Sequence, residues 1–299
     1  MHALVLTLSL AAFGVELPTM GITFDHSWPW TLQHYFSAAV AQDIATNLRA
    51  DYVRTGWIPD WIHKFHSWHR ENQALDAICG AGLHVMIIVP GVQDDALGED
   101  DLLENVRAFF ARYTQREPGC IRYAEIANET NLPANGFRSV LDYASYYAKV
   151  SPIVASFGIP VITSGVSGAD SAWISELGER LRSMQPPPPV SAYGFHPYGV
   201  PLSSLATAFD SMQRAAGELP GGKPSAVDVT EMGRTDAAEL YRAIVTLAPL
   251  TGALTVYEYR AQPNDSAADA RYALVDHPAL YDAARRAFAD ARATAARTR

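Results

Sequence analysis

Short apolar runs recur along the chain, each followed by a stretch whose apolar residues return every three or four positions. The runs are MGITF at 20–24, YVRTGW at 52–57, HVMIIVP at 84–90, YAEIANE at 123–129, PVITSGV at 160–166, AYGFHPY at 192–198, AVDVTEMG at 226–233 and ALTVYEY at 253–259. A spacing of roughly 30 residues or more is the length of one βα unit, and eight such units make an α/β fold of the single (β/α)8 TIM-barrel type. The helical pattern between them supports this. In residues 101–116, Leu102, Val106, Phe109, Phe110 and Tyr113 fall on one stripe. The Ala-rich stretch from Pro278 reads as a closing amphipathic helix, and QPPPP at 185–189 as a stiff link from the fifth helix into the sixth strand. A doubly wound open sheet is the competing architecture, but no GxGxxG or Walker A sequence accompanies it.

The rhythm sets one barrel over residues 17–293, with a tail at 294–299. Residues 1–16 hold an apolar run, Ala3 to Phe13, ending at a small-x-small site, but no basic residue precedes it other than His2. The segment reads either as a cleaved secretory signal, which places the protein outside the cytoplasm, or as a leading strand, which leaves it inside. The run is too short to span a bilayer.

Bulk composition narrows the partners. The 299 residues are 48% hydrophobic and 18% charged, with a formal net charge of −9, which disfavours nucleic acid and suits a neutral or cationic ligand. Oligomeric state is not encoded in any pattern here. Cys79 and Cys120, each just ahead of an apolar run, are either a disulfide in an exported chain or two buried thiols.

In a parallel barrel, reactive groups sit where strands end and βα loops begin. Glu129 closes the fourth run and Glu231 the seventh, and strands four and seven face each other across an eight-stranded barrel. Alternation along a strand puts Glu125 and Ala127 on the side of Glu129, and Val227 and Val229 on that of Glu231, so each glutamate is expected to follow them into the barrel mouth. Two carboxyls converging on one cleft suit glycosidic cleavage. An acetal breaks when its leaving oxygen is protonated and the developing oxocarbenium charge meets an anion. Asn128, beside Glu129, is placed to hold the neighbouring sugar hydroxyl.

Asn-Glu closing strand four, His-Pro-Tyr closing strand six and Thr-Glu-x-Gly closing strand seven resemble the clan A retaining glycoside hydrolases. Over residues 20–288 the chain is most similar to the family 39-type β-xylosidase and endoglycosidase-like group, through VRTGWIPDWI, YAEIANETN, FHPYG, KPSAVDVTEMG and VYEYRAQPND. That resemblance implies Glu129 as acid/base and Glu231 as nucleophile, with no metal or organic cofactor. It also implies Asn128 on the 2-hydroxyl, Arg54 paired with the nucleophile, and His196 and Tyr198 between the glutamates, with Tyr198 bonded to Glu231. Arg54 has a second reading, as the counter-ion of an inward Glu125. Ala127 stands where the clan usually has tryptophan, and Tyr257 and Tyr259 where it commonly places one on strand eight.

Further candidates follow from position. Trp28, Trp57 and Trp173 near βα loops can stack on sugar rings, whereas Trp61 and Trp68 read as packing; Asp25, ending strand one, can reach a hydroxyl. His63, His66 and His69 recur every third residue, but a helix rotates them apart and no carboxylate completes a ligand set, so they read as a polar face. No lysine ends any strand, which disfavours Schiff-base chemistry. The expectation is a retaining hydrolase acting on a poly- or oligosaccharide, with short loops after strands one, five and seven favouring endo action. A transglycosylase using the same residues and a non-catalytic carbohydrate-binding barrel are the rivals.

Overall fold

The computed structural model describes residues 19–24, 37–57, 67–91, 98–219, 223–224, 226–261 and 266–297. The barrel strands are β1 (Thr19–Thr23), β2 (Tyr52–Gly56), β3 (His84–Val89), β4 (Ile121–Ile126), β5 in two pieces, β6 (Tyr193–His196), β7 (Val227–Met232) and β8 (Ala253–Val256). The pieces of β5 are β5a (Val161–Thr163) and β5b (Val166–Ser167). Every pairing between them is parallel, and β1 sits between β2 and β8. β5a pairs with β4 and β5b with β6, while an Ile162–Ala192 bridge ties β5a to the entrance of β6. The two ends of the sheet are thus two pieces of one strand, and the barrel closes there. The helices are α1 (Ala38–Asp43), α2 (His69–Gly80), α3 (Glu99–Arg116), α4 (Val140–Ala155), α5 (Ser171–Ser183), α6 (Leu205–Ala216), α7 (Ala237–Leu247) and α8 (Pro278–Arg297). The (β/α)8 expectation is met, and each apolar run overlaps its strand.

Local chemistry explains the helix starts. Ser139, Asp170 and Asp236 each accept a hydrogen bond from the backbone N–H three residues on, capping α4, α5 and α7. α3 opens with Glu99, Asp100 and Asp101 and closes with Arg116, matching charge to the helix dipole. Its stripe Leu102, Val106, Phe109, Phe110 and Tyr113 is fully buried. At about 1.5–3 kcal/mol per large side chain removed from water, this layer between strands and helices supplies most of the driving force. Inside the barrel a smaller cluster of Tyr52, Met86, Ile162, Ala192 and Ala253 fills the floor, where the Tyr52 hydroxyl meets Thr255 Oγ1 at 2.7 Å.

Several expectations are corrected. α8 runs to Arg297. Residues 24–37 lie between β1 and α1, so that connection is not short; those after β5b and β7 are. Cys79, in the last turn of α2, and Cys120, just before β4, form a disulfide with Cα atoms 5.8 Å apart. QPPPP does lie between α5 and β6, where the Pro189 carbonyl accepts from Tyr147. The reading of residues 1–16, with Asp25, Trp28, Trp61, His63 and His66, lies outside the described residues. His69 is the first residue of α2. Among the described residues no helix is long and apolar enough to cross a membrane.

Candidate active site

Alternation along β2 turns Tyr52 and Arg54 into the barrel, and Arg54 becomes the hub of its mouth. Its Nε donates to Glu125 Oε2 at 2.6 Å, Nη1 to Glu231 Oε2 at 2.5 Å and Nη2 to Asn128 Oδ1 at 2.7 Å. Arg54 thus pairs with both Glu231 and Glu125. Burial works against its charge, but Glu125 and Glu231 outweigh this and raise its pKa further. Glu125 is fully buried; burial opposes its ionisation too, yet Arg54 and His196 hold its pKa down at about 2.

Glu231 reaches the site by a route that simple alternation does not give. Val227 and Val229 belong to the layer facing the helices, not to the barrel interior. Asp228 and Thr230 face inward instead: Asp228 accepts from the Ala253 N–H at 3.0 Å, and Thr230 Oγ1 donates to Glu125 Oε1 at 2.9 Å. Between Val229 and Met232 the register with β8 slips, three steps on β7 against two on β8. This bulge brings Glu231 round to the side of Thr230. On β4, Tyr123 and Glu125 do face inward, but the strand ends at Ile126. Ala127 and Glu129 then adopt positive φ of 63° and 44°. These uncommon conformations for non-glycine residues aim both Asn128 and Glu129 at the mouth.

His196, on β6, is fully buried between three acidic side chains. Its Nδ1 lies 3.2 Å from Glu129 Oε1, and its Nε2 lies 3.0 Å from Thr230 Oγ1 and 3.5 Å from Glu125 Oε1. Burial alone would favour the neutral ring, but the Glu231 charge and the bonds to Glu125 and Glu129 lift its pKa to about 9. Burial raises the pKa of Glu129, but the His196 and Ser167 hydrogen bonds more than offset this and lower it. The Gly165 N–H donates to Glu125 at 2.8 Å, and a Cβ at Gly165 would lie 1.9 Å from His196 Nε2, so only glycine fits there. Tyr198 donates to Glu231 Oε1 at 2.9 Å.

One oxygen each of Glu129 and Glu231 and one nitrogen of His196 all lie within 4.8 Å of one another. Among the described residues this is the one trio able to offer donors to a metal. Both ring nitrogens of His196 and both oxygens of Glu231 are already bonded to protein groups, however, so the trio is not assigned to a metal.

The aromatic candidates separate. Half-buried Tyr257, after β8, packs edge-on to Tyr272 at 6.1 Å, and Tyr272 packs likewise on Tyr198 at 6.0 Å, making an aromatic wall beside Glu231. Gly233 makes room for it, since a Cβ there would come within 2.6 Å of the Tyr272 ring. Trp57 is a correction: it points outward from β2 and stacks on Phe109 of α3 at 4.1 Å. Tyr259 is another: buried beside Phe24, it donates its hydroxyl to Asp43 on α1 at 2.8 Å. Trp173, in the first turn of α5, is half-buried against the core and stands outside the Arg54 network. Trp68 packs on Phe109 and Tyr113, as expected. Thr230, Ser167 and Tyr272 are site residues that alternation and spacing did not single out.

The parallel (β/α)8 barrel is a fold shared with solved glycoside hydrolases. A GH39 β-xylosidase from Caulobacter crescentus superposes with a TM-score of 0.67 at 15% identity, covering 90% of this chain and 70% of that one. The exo-β-1,4-mannosidase Op5Man5 from Opitutaceae bacterium strain TAV5 gives 0.66 at 14%, with 92% of this chain spanning 60% of that one. A GH128 endo-β-1,3-glucanase from Amycolatopsis mediterranei, in complex with laminaritriose, gives 0.56 at 14%, covering 90% and 99%. The resemblance to clan A glycoside hydrolases of family 39 type thus holds as a likeness of fold. No protein-family model and no curated protein matches the sequence.

Proposed function

We propose that the protein is a retaining glycoside hydrolase in which Glu231 is the nucleophile and Glu129 the acid/base. The observation that carries the reading is that one oxygen of Glu129 and one of Glu231 come within 4.8 Å of each other at the mouth of one barrel. Retaining pairs stand about 5–5.5 Å apart, whereas inverting pairs need about 6.5–9.5 Å to admit a water. Tyr198 and Arg54 donate to the two oxygens of Glu231 and fix its orientation. Asn128, tied to Arg54, is the partner for the hydroxyl beside the anomeric carbon.

In the first step a Glu231 oxygen bonds to the anomeric carbon as the glycosidic bond breaks, and Glu129 protonates the departing oxygen. In the second, Glu129 takes a proton from water, whose oxygen displaces Glu231 and releases the sugar with its configuration retained. No step requires a metal or an organic cofactor. The wall of Tyr257 and Tyr272 supports a carbohydrate partner, because aromatic rings cover the C–H faces of sugars. The xylosidase, mannosidase and glucanase among the similar structures support β-linked xylo-, manno- or gluco-configured substrates. Short connections after β5b and β7 favour endo action, and the Cys79–Cys120 bridge favours export.

Xylan, mannan and β-1,3-glucan incubated with the wild type, with first-formed anomers followed by proton NMR, test the reading. Retained configuration supports it, and inversion rejects it. Added acceptor sugar separates transglycosylation from hydrolysis at the second step. Binding without cleavage points to the non-catalytic barrel.

A further inference from the structure

Behind the two reactive glutamates lies a buried chain of alternating charges: Glu231, Arg54, Glu125, His196, Glu129. Its links measure 2.5, 2.6, 3.5 and 3.2 Å, and Thr230 bridges the longest of them with bonds of 3.0 Å to His196 and 2.9 Å to Glu125. Glu125 is the middle member and has no exposure to solvent. We propose that Glu125 is a positioning residue of the reaction, holding Arg54 and His196 in place so that the charge state of Glu231 is transmitted to Glu129 through this chain. This rests on the glycosidase reading above and extends it.

The two displacement steps change the charge of Glu231, and the chain is built for that change. When Glu231 forms its ester with the anomeric carbon, it ceases to be an anion facing Arg54. Glu125, on the Nε side of the same guanidinium, remains the counter-ion, so Arg54 is never a buried cation without a partner. On the other side, His196 Nδ1 stores the proton that Glu129 uses. In the first step that proton passes from Nδ1 to Glu129 and on to the leaving oxygen, which accepts the electron pair of the broken C–O bond. His196 is then neutral, Glu129 is again a carboxylate and the total charge of the chain is unchanged. In the second step a water proton returns through Glu129 to His196, and Glu231 leaves as a carboxylate. Glu125 stays ionised throughout. His196 with its pKa lifted to about 9 and Glu129 with its pKa lowered fit a proton resting on the imidazole.

The groups facing the chain from each side are few. Arg54 approaches from β2, Tyr198 from the turn after β6, Glu231, Thr230 and Asp228 from β7, and Tyr143 from α4. Arg54 is the only cation among these besides His196, and Glu125, which touches both, acts with Glu231 and Glu129 to hold the proton on the ring.

The test compares Glu125→Gln with Glu125→Asp, using whichever glycoside the wild type cleaves, and follows the His196 ring by NMR across pH. In Glu125→Gln the alkaline limb of kcat/KM, which reports the essential acid, should move acidward by about 1 unit or more, together with the His196 titration. In Glu125→Asp, which keeps the charge, both should stay near wild type even if kcat falls. A lower rate in Glu125→Gln with limb and titration unmoved overturns the proposal and leaves Glu125 a packing residue. Should Glu125→Gln not fold, the wild type decides: a His196 that titrates at or below the ordinary histidine value overturns the proposal, and one well above it supports it. The NMR arm needs no turnover. A wild type that cleaves nothing while its His196 responds to Glu125→Gln would reject the glycosidase reading and retain the coupling.

Discussion

Arg54 on β2 and Glu231 on β7 meet across the barrel, Nη1 to Oε2 at 2.5 Å, although 177 positions separate them in sequence. The same guanidinium serves Glu125 and Asn128, so three acceptors depend on one planar fork. Arg54→Lys supplies charge without that geometry. We expect it to lower kcat/KM by about 100-fold or more, through loss of Glu231 orientation. Arg54→Met leaves two buried carboxylates without their cation and should cost about 3–5 kcal/mol in urea unfolding. Activity close to wild type in Arg54→Lys would remove Arg54 from the site.

Gly165 is where the site tolerates no side chain. Gly165→Ala should drive His196 off Thr230 and Glu129, since the new methyl would fall 1.9 Å from Nε2. A loss of about 100-fold or more in kcat is expected, the scale of a general acid deprived of its partner. Gly80→Ala is the control: no atom lies within 4 Å of a Cβ at the end of α2, and the change should leave activity intact.

Stability should peak in mildly acidic buffer. Glu125, held at about 2 against an ordinary 4.5, contributes stability that is complete above pH 4.5 and lost as pH falls through 2. His196, lifted from 6.5 to about 9, contributes stability complete below pH 6.5 and lost as pH rises through 9. Burial lifts Asp228 from 3.8 to about 6, so it too favours the fold at low pH and loses that contribution between those values. Tm should therefore be highest at about pH 4–5 and decline toward pH 9. Asp228→Asn should flatten the fall between pH 4 and 6. A Tm still rising from pH 5 to 9 would contradict these assignments.

The Cys79–Cys120 bridge closes a loop spanning 41 positions between α2 and β4. Chain-entropy arguments put its contribution at about 4 kcal/mol. The double variant Cys79→Ser/Cys120→Ser should unfold at lower urea while keeping its rate at 25 °C, because the bridge lies among the helices and strand entrances, away from the mouth. An unchanged urea midpoint would show that the thiols are not joined.

Much of the fold was legible because a (β/α)8 barrel writes its period into the sequence. Each apolar run overlaps a strand, and the two glutamates stand at the strand ends that face each other. What alternation could not give was the backbone at those ends. The bulge on β7 reverses the side on which Glu231 emerges, and positive φ at Ala127 and Glu129 re-aims the end of β4. Both depend on neighbouring strands. Trp57 and Tyr259 lie away from the mouth for a related reason. An aromatic residue just past a strand faces mouth or helices according to a single step of register, and both went to the helices. Glu125 carried a usable signal, since it shares the inward alternation of its strand, whereas Thr230 has the opposite parity to Glu231 and turns inward because Val227 and Val229 face the helices. Tyr272 carried none, because its place depends on how the segment after β8 returns to Gly233.

The central claim is that Glu231 bonds covalently to sugar. It is tested most directly by incubating the protein with 2-deoxy-2-fluoro glycosyl fluorides of xylose, mannose and glucose, then locating the adduct by peptide mass spectrometry. The account predicts inactivation with a single label on Glu231, and no label in Glu231→Gln. A label on Glu129 or any other residue, or turnover of the polysaccharide with inverted configuration and no adduct, would contradict it.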